Sequence, residues 1–119
     1  MKVYQVIIET WVDGVREEDR VLAKTYEKKG FAERKAKKCV EVNPHIVRKA
    51  YVRPLLNKVT EEEAKNSYCH GKPVYIDCEY GKREMPPSHL YGSHAPASEL
   101  FYRSRGWGYK GNYYLEAEM

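Results

Sequence analysis

Residues 2 to 12 alternate as a β-strand does, yet both of their faces are apolar: Tyr4, Val6, Ile8 and Val12 point one way, Val3, Ile7 and Trp11 the other. A strand apolar on both sides has to be covered on both, so it belongs in the interior of a sheet. Gln5 and Glu9 interrupt the run, which therefore reads as a strand and not as a secretory signal peptide. No stretch reaches the roughly 20 apolar residues that span a bilayer, and no membrane partner is expected. At 119 residues the chain suits a single compact domain, 1–119, large enough to fold without a metal or a disulfide. Cys39, Cys69 and Cys78 leave one thiol unpaired under any disulfide scheme, which points to a reducing, cytoplasmic setting.

Downstream, Asp13-Gly14 marks a turn and residues 20–26 return as a second strand, with GVREEDR making a connection longer than a two-residue loop. The period then becomes helical from about Lys28 to Asn43: Ala32, Ala36, Cys39, Val40 and Asn43 share one face until Pro44 stops the helix. A third strand is expected around residues 45–56. Thr60 and Glu63 form a capping box that opens a short helix ending near Tyr68. A fourth strand covers residues 73–80, with Val74, Ile76 and Cys78 inward and Tyr75, Asp77 and Glu79 toward water. Residues 84–99, rich in Pro, Ser and His, read as a long loop, and residues 100–105 with 113–118 as a closing hairpin. The fold class is α+β: an antiparallel sheet of about five or six strands, with one main helix packed on a face and one short helix.

Charge is unevenly distributed. Residues 20–59 carry twelve Lys and Arg against three Asp and Glu, while both flanking segments are net acidic. Such a block is the footprint of a protein that meets polyanions, although a lysine-rich helix face also serves solubility. Its candidate ligand-binding residues are Arg34, Lys35, Lys37, Lys38, Arg48, Lys49 and Arg53, which could engage phosphates. The plainer alternative is a solvated face on which Glu33 and Glu41 pair with Lys37. A second set, Arg103, Arg105, Trp107, Tyr109 and Lys110, interleaves cations and rings among glycines, as stacking on a base would require. Its alternative is a twisted hairpin whose rings cover the core.

Cys69, His70, Cys78, His89 and His94 are spaced poorly for zinc, and a buried thiol at Cys78 with surface histidines accounts for them better, with Cys39 in the core. No catalytic motif is evident, since Cys69-His70 adjacency and the Asp77, Glu79 pair do not by themselves set a reactive geometry. The expectation is a non-enzymatic protein without a cofactor that binds nucleic acid or a nucleotide, a cyclic one included. Its size and lack of catalytic motifs suit a phage or mobile-element accessory protein that blocks or sequesters a host-defence component. The rival is an interaction module docking its basic face on an acidic protein surface, and a homo-oligomer is compatible with either.

Overall fold

The computed structural model describes residues 2–88, 95–106 and 108–118. Its elements are β1 (Tyr4–Val12), β2 (Val15–Arg16), β3 (Arg20–Tyr26), α1 (Lys29–Lys38), β4 (Glu41–Val42), β5 (Ile46–Pro54), β6 (Leu56–Val59), α2 (Glu61–Cys69), β7 (Val74–Asp77), β8 (Lys82–Glu84), α3 (Ala97–Arg103) and β9 (Tyr113–Glu116). The class is α+β with antiparallel pairing, as expected, but the strands form two sheets rather than one. The described residues cluster into two compact units, 2–55 with 117–118, and 56–116.

In the first unit the sheet runs β2-β1-β5-β4, with β3 paired to β1 on the edge that β2 also uses. β1 and β5 pair along their whole length, from Tyr4 opposite Pro54 to Val12 opposite Ile46. Val6, Ile7 and Ile8 are all buried, so the doubly apolar strand is interior as its sequence requires. α1 lies on the side of Val6, Ala50 and Val52 through Ala32 and Ala36, whose small side chains let the helix approach the sheet closely.

Two local expectations for this unit are corrected. Asp13 and Gly14 adopt φ of 49° and 79°, and Val12 pairs with Val15, so this is a two-residue hairpin loop. Asp-Gly tolerates the two positive φ angles that match strand twist, and the extra residues fall in the break between β2 and β3 instead. α1 ends at Lys38, not Asn43. Asn43 Oδ1 accepts the backbone N–H groups of His45 at 2.9 Å and Ile46 at 2.8 Å, which fixes a reversal pairing β4 with β5. Pro44 sits in that turn, and Val40 is left 51% exposed. Glu41, expected on Lys37, pairs with Arg48 across the hairpin. Cys39, expected in the core, is only half-buried.

The second unit has the sheet order β6-β9-β7-β8. Its core gathers Ala64, Tyr68, Val74, Ile76, Met85, Leu100, Phe101 and Tyr113. α2 starts at the expected cap, where Thr60 Oγ1 accepts the Glu63 N–H at 3.2 Å and its own hydroxyl donates to Glu63 Oε1 at 3.0 Å. Residues 100–105 are not a strand: α3 takes in 100–103, and 104–105 form the turn that follows. Leu100, Phe101 and Ser104 are buried at helical spacing, Ser104 Oγ donates to the Leu100 carbonyl at 2.7 Å, and Glu99 pairs with Arg103 one turn later. β9 therefore pairs with β6 and β7. The long 84–99 segment is trimmed at both ends, since Glu84 ends β8, Met85 enters the core and Ala97 opens α3. Residues 89–94, with His89 and His94, lie outside the described residues.

Asp77, read as a solvent-facing acid, is half-buried. Its carboxylate accepts from Tyr114 Oη at 2.7 Å and Asn112 Nδ2 at 3.0 Å, with Lys82 Nζ at 3.4 Å. Burial pushes its pKa up, but these donors outweigh it and the net shift is downward.

Candidate functional site

β3 pairs only with β1, so among the described residues its outer edge carries no strand. Beside it, α1 turns Ala32 and Ala36 down onto the sheet, which at 3.6 residues per turn leaves Phe31, Arg34, Lys35 and Lys38 on one flank and Glu33 and Lys37 on the other. The first flank faces β3 across a groove of about 740 Å³, whose strand side is Leu22, Ala23, Lys24 and Tyr26. A further cavity of about 550 Å³ shares Leu22, Lys35 and Lys38 with it and extends to Arg20, Cys39, Glu41 and Arg48. Together they make one open channel along the helix.

Six cations line that channel, Arg20, Lys24, Arg34, Lys35, Lys38 and Arg48, against the single carboxylate of Glu41, which Arg48 already neutralises. Among the described residues, Arg20, Lys24, Arg34, Lys35 and Lys38 form no ion pair. Within a Debye length of about 8 Å such charges act together on a ligand in the groove. Two rings stand among them. Lys24 Nζ lies 5.2 Å from the Tyr26 ring centroid, and Phe31, 52% exposed, has Lys28 Nζ at 5.9 Å and the Arg34 guanidinium at 5.4 Å.

The remaining sequence candidates are placed elsewhere. Lys37 is exposed on the outer flank of α1, and Lys49 is exposed with its Nζ 5.3 Å from the Trp11 centroid. Arg53 is 8% exposed and donates to Gln5 Oε1 at 3.4 Å, so it is held within the sheet rather than presented in the groove. Near it lies a polar group that the sequence reading missed: Arg16 bonds Glu9 at 2.6 Å and Asp19 at 3.2 Å. Burial chiefly, against the pull of Arg16, raises the Asp19 pKa.

The C-terminal set belongs to the second unit. Arg103 pairs with Glu99 at 2.5 Å. The Arg105 guanidinium lies 5.1 Å from the Tyr102 ring and 4.8 Å from Tyr109, and donates to Tyr113 Oη at 3.3 Å. Tyr113 Oη in turn donates to Glu61 Oε1 at 3.3 Å. Burial first, then the Tyr109 hydrogen bond, pushes the Tyr113 phenol up, and the bond to Tyr113 raises Arg105. These contacts clamp α3 to β9. Gly106, Gly108 and Gly111 all have positive φ, so turn geometry explains them. Lys110 is exposed, and Trp107 lies outside the described residues. Cys69 is exposed at the end of α2 and Cys78 half-buried after β7.

Arg20, Lys24, Tyr26 and Phe31 were not among the sequence candidates. For Arg20, Lys24 and Tyr26 the signal was the period-two run 20, 22, 24, 26 beside a helix, but which flank of that helix would meet the strand, and so bring Phe31 to it, is a tertiary fact. Comparison of the chain with protein-family models, curated proteins and solved structures finds no match.

Proposed function

We propose that this chain is a non-catalytic binding protein for phosphate-bearing polyanions, nucleic acid foremost, and that the groove between α1 and β3 holds the ligand. The observation carrying this reading is the convergence, from a helix and a strand, of five cations that form no ion pair among the described residues on one channel. Helix energetics alone explains part of the pattern: Lys35, Lys37 and Lys38 sit in the last turn, where the macrodipole favours cations. It does not explain Arg20 and Lys24 on the strand, or why Glu33 falls on the outer flank. The open, elongated form suits a chain of phosphates better than one compact nucleotide.

A docking site for an acidic protein would use the same cations but would meet carboxylates. Anisotropy of a labelled oligonucleotide of about 12 nucleotides, within the range of single-strand sites, separates the two. Saturable binding at low salt is expected, with poly-glutamate at equal charge concentration competing poorly. Absence of saturation, or full displacement by poly-glutamate, would contradict the nucleic-acid reading.

A further inference from the structure

Phe31 occupies the first turns of α1, but the helix rests on the sheet through Ala32 and Ala36, and the Phe31 ring is not part of that cluster. It is half-exposed on the groove wall, with the cations of Lys28 and Arg34 beside it. Across from it are the Tyr26 ring and the apolar Leu22, both half-buried against that cluster while still lining the groove. A phosphate backbone gains nothing from rings or from an aliphatic floor. A nucleobase does, because its π-face stacks on an aromatic side chain while neighbouring cations take the phosphates.

Resting on the polyanion reading above, we infer that the groove selects single-stranded over duplex nucleic acid, with a base stacked on Phe31. In a duplex the base faces are already stacked on one another, and only the convex phosphate surface is offered. Such a surface would meet the cations without filling the cleft between them. A single strand turns its bases toward Phe31 and Tyr26 and lays its backbone along Lys24, Arg34, Lys35 and Lys38.

Three probes of equal length test this: a single-stranded oligonucleotide, its abasic analogue and the corresponding duplex. The single strand is expected to bind at least about tenfold more tightly than either of the others. Phe31→Ala should weaken it by about 5- to 150-fold, the range for losing one stacked base, while leaving the abasic and duplex probes nearly unaffected. Phe31→Tyr should retain binding, and circular dichroism should be unchanged in both variants because the ring is outside the core. Equal or tighter duplex binding, or a Phe31→Ala variant that binds the single strand as the parent does, would overturn the inference. The polyanion reading would survive that result if Lys35→Glu still weakened every probe. If no probe bound the parent at low salt, both would fall.

Discussion

Replacing Lys35 and Lys38 together with glutamate is expected to weaken single-strand binding by about two orders of magnitude or more. Each lysine supplies a charge-assisted contact of about 1.5 to 3 kcal/mol, and every 1.4 kcal/mol is tenfold in Kd. Both side chains are exposed on the groove flank of α1, so the fold should persist. The helix loses a favourable end-charge interaction, about 0.3 to 1 kcal/mol for each lysine, and gains an unfavourable one of similar size for each glutamate. Lys37→Glu is the position-specific control. It makes the same charge change as Lys35→Glu or Lys38→Glu alone, but on the outer flank, and is expected to lose far less affinity than either. Equal losses for Lys37→Glu and for Lys35→Glu alone, measured by anisotropy with circular dichroism unchanged, would show that net charge and not the groove governs binding.

The largest expected effect on stability is at Phe101. It is fully buried, stacked on Tyr113 at 5.1 Å and edge-on to Tyr68 at 5.6 Å. Phe101→Ala removes the ring that joins α3 to α2 and β9 and leaves a cavity, at a cost of about 3 to 5 kcal/mol. Against a typical total of about 5 to 15 kcal/mol, that is enough to populate the unfolded second unit under mild denaturant. Urea unfolding followed by tyrosine fluorescence measures it. A loss below about 1 kcal/mol would mean that α3 is not anchored by this residue.

What could be read from the chain follows from how local each signal is. The alternation of residues 3–12, the Thr60 cap and the inward Val74 and Ile76 are set within a few residues, and each is found where expected. Pro44 marks a break in the chain but not the end of the helix: α1 has already ended at Lys38, and the asparagine beside the proline folds the chain into a hairpin. Leu100 to Arg105 shows the limit of apolar counting over short windows. Alternation and a single helical turn both fit LFYRSR, and only the burial of Leu100, Phe101 and Ser104, with Tyr102 left exposed, decides between them. The division into two sheets had no local mark: residues 45–56 read as one strand, which runs through Pro54 and Leu55 past the end of β5 to the first residue of β6.

The candidate site divides in the same way. Block charge located the basic segment, and the helical spacing put Arg34, Lys37 and Lys38 outside the apolar face, of which Arg34 and Lys38 line the groove and Lys37 does not. Which cations share a groove depends on β3 pairing with β1, a contact between separate segments of the chain. Arg105 and Tyr109 looked like a ligand platform because cation-ring interleaving is common to binding surfaces and to internal clamps. Here Arg105 is engaged by Tyr102, Tyr109 and Tyr113.

The most direct test of the groove as a phosphate-binding channel is a salt titration of single-strand affinity. For three to five phosphates contacted, log affinity should fall linearly with log salt concentration, with a slope of about −2 to −3.5. In the Lys35→Glu, Lys38→Glu variant the slope should shrink by about 1.4, as two contacts are lost. A flat salt response in the parent, or the same slope in parent and variant, would contradict phosphate binding in the groove.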